Sequence, residues 1–265
     1  MLLFDILKKD FYMKINNVIV FALFLITFSS CFKTNNDTIQ NSEKQSSVQI
    51  AKEDILTTEP LTKEQQQQLK PEDVINRLIQ GNTDFTKDNL TIRNTTERVR
   101  KAALAQYPKA VILSCLDSRV PVEDIFHSGI GNLFVARVAG NIVNDDILGS
   151  MEYACKVSGA KLIFVLGHEY CGAVKSAIDG VKMGNITGLL TKINPAIRKT
   201  KANFEGSKIS SNAAFVEAVC DENVKLAITK IHEKSPILRK MEIDKEIIIV
   251  GGVYDMKTGK VQILK

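Results

Sequence analysis

The sequence predicts a doubly wound α/β fold: four parallel strands, an antiparallel strand at one edge, and helices on both faces. Three observations predict it. Short apolar runs at residues 110–113, 161–166 and 246–250 are hydrophobic without alternation, as strands buried on both faces of a sheet must be. Helical stretches alternate with the strands, the pattern of β-α-β crossovers. The turn Lys257-Thr258-Gly259 then returns the chain into residues 260–264, so the last strand runs antiparallel at an edge.

Four glutamines at residues 65–68 lie on the solvated face of a short helix. Pro71-Glu72-Asp73 opens the next helix with proline and two acids in its first turn; Val74, Ile75, Leu78 and Ile79 form its apolar stripe and Gly81 stops it. Residues 95–104 are helical and lead to the first strand, after which Pro121-Val122-Glu123-Asp124 starts another helix. Residues 133–139 form the second strand, turned by Gly140-Asn141. A helix over 147–157 places Met151, Ala154 and Cys155 at core spacing, and the third strand, 161–166, leads to a helix over 173–178. Residues 186–201 read as one helix despite Pro195, and 212–234 as a long helix ending before Ser235-Pro236. The fourth strand, 246–250, is followed by Gly251-Gly252.

With 265 residues and 45% hydrophobic composition, the chain holds one domain with a sizeable core, assigned to residues 61–265, plus appendages. A formal charge of +5 with dispersed basic residues argues against nucleic acid as a partner. Residues 1–30 read as a signal peptide: Lys8, Lys9 and Lys14 precede an apolar stretch, 18–28, that is short for a bilayer span but suited to a signal core. Phe28-Ser29-Ser30-Cys31 resembles the end of a bacterial lipoprotein signal. That resemblance implies cleavage before Cys31, lipidation of its thiol and anchoring to a bacterial membrane on the periplasmic side; secretion to the periplasm without lipid, or an uncleaved anchor, is the alternative. Met13-Lys14 is a second candidate start. Residues 31–60 are polar and form a flexible tether, since they bury too little to offset their ordering entropy.

Cys115-Leu116-Asp117-Ser118-Arg119 follows the first strand directly, and Gly167-His168-Glu169-Tyr170-Cys171-Gly172 follows the third. His168 and Cys171, three apart at the opening of a helix, share one face. In an open parallel sheet the carboxyl ends of separate strands meet at one crevice, so Cys115 can join them. Either cysteine alone reads as a small buried apolar residue. The two motifs together, each at a strand end, read as a Cys2His set for zinc with an open fourth position. Asp117 and Arg119 pair bidentately, either beside the metal or as an ordinary ion pair closing a loop. Gly172 reads as a close backbone approach to metal or substrate, or as a helix-packing glycine. His127 and His232 read as surface residues; Cys155 and Cys220 fit helix core positions, with their pairing left open.

Those two motifs, with Arg137-Val138-Ala139-Gly140-Asn141 and Gly251-Gly252-Val253-Tyr254-Asp255, resemble the β-class carbonic anhydrases from about residue 71 to residue 264. The resemblance implies a four-stranded parallel sheet extended by an antiparallel strand, zinc at its carboxyl edge, and an active site at a dimer interface, hence a homodimer or higher even oligomer. It implies Cys115, His168 and Cys171 as zinc ligands and Asp117 with Arg119 as the catalytic dyad; the pairing itself allows two states, since Asp117 released by Arg119 can take the open position as a fourth ligand and close the site. Gln106, nine residues before Cys115, stands where the family hydrogen-bonds substrate, and Phe134 and Tyr153 resemble pocket walls lent by the neighbouring subunit. Ala139 stands where some members carry a larger wall residue, which implies a wider pocket. The implied reaction is reversible hydration of carbon dioxide to bicarbonate and a proton: zinc lowers the pKa of the water it holds to about 7, and the resulting hydroxide attacks. The same hydroxide would also attack carbonyl sulfide or carbon disulfide, and a chain with Asp117 permanently on the metal would be a binding module; turnover assays separate the three.

Overall fold

The computed structural model describes residues 59–89 and 95–264. The signal segment, Cys31 and residues 31–58 of the tether lie outside the described residues. Among the described residues five strands, β1 (Ala110–Ser114), β2 (Leu133–Arg137), β3 (Leu162–His168), β4 (Ile248–Tyr254) and β5 (Val261–Ile263), form one sheet in the order β2-β1-β3-β4-β5. β1 pairs in parallel with β2 and β3, and β3 with β4; β5 alone runs antiparallel, on β4. The sheet is the one the sequence predicts. The helices are α1 (Lys63–Gln67), α2 (Pro71–Thr86), α3 (Thr95–Ala102), α4 (Val122–Ile125), α5 (Asp145–Glu152), α6 (Gly172–Ile178), α7 (Gly184–Thr191), α8 (Asn194–Asn203), α9 (Ala213–Lys234) and α10 (Pro236–Ile243).

β1 and β3 are buried along their whole length. Their side chains alternate between faces. Ala110, Ile112, Leu162, Phe164 and Leu166 pack with Val74 and Leu78 of α2 and with Val122 and Ile125 of α4. On the other face Val111, Leu113, Ile163 and Val165 pack with Met151 of α5, Val224 and Ile231 of α9, and Leu238 of α10. Each fully buried large side chain contributes about 1.5–3 kcal/mol relative to exposure. A third cluster closes over the carboxyl end of β1: Cys115 and Cys171 lie in it with Val174 of α6, Leu190 of α7, Ile197 of α8 and Phe215 of α9.

Several elements depart from the sequence reading, each for a packing reason. Gly81 does not stop α2, which runs on to Thr86; a Cβ there would lie 2.3 Å from the carbonyl oxygen of Phe126, so the glycine marks a close approach. Gln66 is not on a solvated face but is buried, its amide donating to the carbonyls of Pro108 (2.7 Å) and Ser158 (2.8 Å). Residues 186–201 form two helices, and Pro195 sits in the first turn of the second, where its missing N–H costs nothing. α5 gives way after Glu152 to a wider π turn, Tyr153–Val157, closed by the N–H of Ser158 on the carbonyl of Tyr153 at 2.9 Å. Gly251-Gly252 lies inside β4 rather than after it. A Cβ on Gly251 would stand 2.5 Å from Val224, and one on Gly252 2.9 Å from Phe164, so both faces of the strand require glycine here. α10 was not foreseen, and it provides the acid that the sequence did not show for His232: Glu242 lies 2.7 Å from its Nε2. His127 is also mostly covered, with its Nδ1 4.0 Å from Asp84.

Gly81→Ala gains up to about 1 kcal/mol of helix propensity, but the collision with a backbone carbonyl costs about 1–3 kcal/mol or more. A net loss in denaturant midpoint is expected. Gly188→Ala, inside α7 with nothing within 4 Å of its added Cβ, is expected to leave the midpoint unchanged or raise it. The reverse ranking in paired denaturation curves would reject the close-approach account.

Candidate metal centre

Ser114, the last residue of β1, pairs with Leu166 of β3, so Cys115 follows level with Gly167 and beside His168. His168 ends β3, and Cys171 is the N-cap of α6. The turn between them holds Tyr170 at φ 53°, a left-handed backbone uncommon for an aromatic residue. The result brings Cys115, His168 and Cys171 together, all buried, with their ligand atoms within 4.8 Å of one another. The two sulfurs are 3.9 Å apart.

The donor set fits a zinc ion. Two thiolates on a tetrahedral centre with bonds of about 2.3 Å stand about 3.8 Å apart, close to the separation observed. His168 Nδ1 lies 2.8 Å from the carbonyl oxygen of Glu169 and donates to it, which leaves the Nε2 lone pair facing inward. That Nε2 is buried without a hydrogen-bond partner, a condition costing about 1–3 kcal/mol unless something ligates it. The Gly140 N–H donates to Cys115 Sγ at 3.3 Å. Gly140 adopts φ 70°, and a Cβ there would meet Ile193 at 2.8 Å; its carbonyl accepts from Asn223 Nδ2 at 2.8 Å. The Cys171 thiol, with His168 and the Gly140 N–H, pulls the Cys115 thiol well below its ordinary range. The same contact with Cys115, together with burial, pushes Cys171 up. The two thiols are thus coupled, and a cation bound by both sulfurs takes the place of their protons.

Asp117 stands at the rim of this cluster, its Oδ2 3.9 Å from His168 Nε2. Arg119 grips the carboxylate through Nε to Oδ1 (2.9 Å), Nη2 to Oδ2 (2.7 Å) and its backbone N–H to Oδ1 (3.0 Å). These bonds hold the Asp117 carboxyl well below the usual carboxylate range. The Arg119 side chain is 56% exposed, so the pair orients the carboxylate more than it stabilises the fold. Arg137, at the end of β2, donates to the carbonyls of Cys115 (3.0 Å) and Asp117 (2.5 Å), fixing the loop from below. The second loop is fixed by Glu169, whose N–H donates to Tyr254 O (3.1 Å) and whose carboxylate accepts from the Met256 N–H (3.2 Å).

The remaining sequence-predicted residues lie elsewhere in the single chain. Gln106 is exposed between α3 and β1. Phe134 pairs in register with Val111, four residues before Cys115, and it shares with Tyr153 a separate cavity of about 610 Å³ that also touches Ala136, Asp146 and Gly149. Gly172 opens α6 with nothing within 4 Å of an added Cβ, so no packing contact accounts for it. Cys155 and Cys220 are free, buried thiols in different core clusters. Sequence reasoning placed Arg137, Gly140 and Glu169 in the resembling motifs, and Gly140 in a turn, but gave none of them, nor Asn223, a role at the metal centre. An arginine closing the otherwise apolar strand Leu133–Arg137 was the one available signal.

A family profile described as carbonic anhydrase matches residues 110–261, more than half of the chain. A carbonic anhydrase of Mycolicibacterium smegmatis is 34% identical over 167 residues, spanning 62% of this chain and 79% of that protein. Among solved structures, the β-carbonic anhydrase CcaA aligns with TM-score 0.59 at 24% identity over 73% of this chain and 88% of that one. Tetrameric β-carbonic anhydrases of Sordaria macrospora give a TM-score of 0.57 at 22% identity over 72% and 97%. At those identities the structural likeness speaks for the fold, and the sequence matches speak for the family. The chain belongs to the carbonic anhydrases, with the fold of their β class.

Proposed function

We propose that the chain catalyses the reversible hydration of carbon dioxide to bicarbonate and a proton, with zinc held by Cys115, His168 and Cys171. The observation that carries this reading is the buried, unpartnered Nε2 of His168 beside two sulfurs 3.9 Å apart. When bound, a zinc with three protein ligands supplies a Lewis-acidic position that lowers the pKa of water toward about 7 and so makes a nucleophile available at neutral pH. Asp117, kept anionic and turned by Arg119, accepts a hydrogen bond from the attacking water and orients its lone pair toward carbon dioxide. Arg137 keeps the loop from drifting, and the Gly140 N–H withdraws charge from the Cys115 sulfur.

Two further parts of this reading rest on the sequence. Residues 1–30 act as a signal peptide, Cys31 is lipidated, residues 31–60 tether the catalytic domain of residues 61–265, and the enzyme faces the periplasm. A homodimer or higher even oligomer brings Phe134 and Tyr153 to the neighbouring subunit's site as pocket walls, and Gln106 hydrogen-bonds substrate. Two features support the second part: β2 is an edge strand, and Tyr153 beside it is 55% exposed. An even multiple of the chain mass in sedimentation, and fatty-acid label that disappears in Cys31→Ala, are the expected results; an odd assembly, or label retained, would reject the part concerned.

Stopped-flow hydration assays on the full chain are expected to show activity that is lost on chelation and restored by zinc, with one zinc bound per chain and none retained by His168→Ala. A zinc-loaded protein without hydration activity would reject the proposal. Arg119→Ala is expected to keep its zinc while kcat falls by about 10² or more, because the carboxylate loses its orientation. Unchanged kcat in that variant would remove Asp117 and Arg119 from the mechanism.

A further inference from the structure

The chain reverses between His168 and Cys171 within two residues. β3 arrives extended at His168, and Cys171 is extended again (φ −61°, ψ 119°) before α6 begins. Glu169 is pinned by its N–H on Tyr254 O and by its carboxylate on the Met256 N–H. Tyr170 takes the left-handed position, at φ 53°. Glycine adopts that conformation freely, whereas in an L-residue the Cβ crowds the carbonyl oxygen that follows. Such a backbone persists where its surroundings over-determine it. The half-buried Tyr170 ring has two ammonium groups over it: Lys175 Nζ stands 5.6 Å from the ring centroid and Lys257 Nζ 5.7 Å, both inside the range of about 6 Å in which an aromatic face attracts a cation. Lys175 belongs to α6, one turn beyond its N-cap Cys171, and its N–H donates to Cys171 O at 3.0 Å. Lys257 belongs to the turn after β4, where its own N–H and that of Thr258 donate to Asp255 Oδ1 at 2.8 Å and 3.1 Å. The Lys257 ammonium is held above its ordinary range, first by hydrogen bonding and charge interaction with Tyr170 and then by Glu169 and Asp255.

We propose that Tyr170 is a positioning residue of the metal centre: the ammonium groups of Lys175 and Lys257 clamp its ring and so hold the turn in the left-handed conformation that lets His168 and Cys171 converge. The clamp ties together the three elements that meet at the ligands. The ring sits on the loop, one cation on the helix that Cys171 caps, and the other on the hairpin that docks Glu169. Rotating Tyr170 to a right-handed or extended backbone would carry the ring away from both cations, so their attraction biases the turn toward the state seen here. Zinc binding gains by the larger fraction of chains whose turn is already shaped for it. Tyr170 thus acts through His168 and Cys171 and not on the reacting atoms. The proposal rests on the reading of Cys115, His168 and Cys171 as zinc ligands.

The test measures zinc affinity of the full chain by competition with a chromophoric chelator. Lys175→Gln and Lys257→Gln should each weaken zinc binding about two- to fivefold, the worth of a partly exposed cation–π contact. In a Tyr170→Ala background neither lysine substitution should change the affinity further, because the ring they act on is gone. Tyr170→Phe keeps the ring and should stay closer to wild type than Tyr170→Ala. Tyr170→Gly lacks the ring but is free of left-handed strain, and should bind zinc about 5–30-fold more tightly than Tyr170→Ala. With cobalt(II) in place of zinc, the sulfur-to-metal charge-transfer and ligand-field bands should coincide in wild type and Tyr170→Phe and shift in Tyr170→Ala, a change of ligand geometry that a mere loss of stability does not produce. Hydrogen exchange of the zinc-free chain examines the turn without the metal: the Glu169 amide, bonded to Tyr254 O, should exchange faster in Lys257→Gln than in wild type. Unchanged zinc affinity in both lysine variants, lysine effects that persist in Tyr170→Ala, or Tyr170→Gly binding no tighter than Tyr170→Ala would overturn the proposal. A wild type that takes up no zinc rejects the metal reading, and the exchange experiment then decides the clamp by itself, equal rates overturning it.

Discussion

The parallel pairing of β1 with β3, in which Ser114 lies opposite Leu166, brings Cys115 and the Gly167-His168 pair to the same edge of the sheet. Neither loop could be placed independently of that register. A slip of one residue would turn Cys115 toward the wrong face and exchange the two buried clusters on either side of β1. The register is in turn fixed by burial, because Ile112 and Leu113 face different cores and neither can move without exposing apolar surface. The geometry of the sulfur and imidazole cluster is therefore a by-product of how the sheet packs.

Around that edge the chain spends most of its polar interactions on orientation. Asp117 is gripped from one side by Arg119, and its backbone carbonyl is held from another by Arg137. Cys115 receives the Gly140 N–H, and Gly140 is positioned by Asn223 from α9. Three separate elements thus hold a five-residue loop. An exposed Asp-Arg pair adds little to stability, yet here it decides which way a carboxylate faces relative to His168, and this is where its value lies.

Much of this was readable from the residues because the signals are local. Apolar runs without alternation gave β1 and β3, and the placement of two cysteines and a histidine after them gave the cluster. What was not readable depends on contacts through space. Glycine marks a helix end and a close approach with the same letter, so Gly81 read as a stop when it is a contact with the Phe126 carbonyl. Gly251-Gly252 failed in the same way: the pair looked like punctuation, but Val224 and Phe164 press on β4 from opposite faces. Gln66 sat in a polar run whose composition pointed to solvent, while one of its four glutamines reaches the carbonyls of two distant residues. Phe134 and Tyr153 were marked by resemblance alone, and a single chain puts them by β2, away from Cys115.

The tie between Glu169 and the β4–β5 hairpin bears on biosynthesis. The loop holding His168 and Cys171 is docked by Tyr254 and Met256, the latter 87 positions further along the chain. A ribosome must therefore have synthesised the chain through Met256 before that loop can acquire its fixed shape. A C-terminal truncation that removed the hairpin would take away both Glu169 ties and leave the loop held on that side only by the packing of Cys171 and Val174 against Leu190, Ile197 and Phe215.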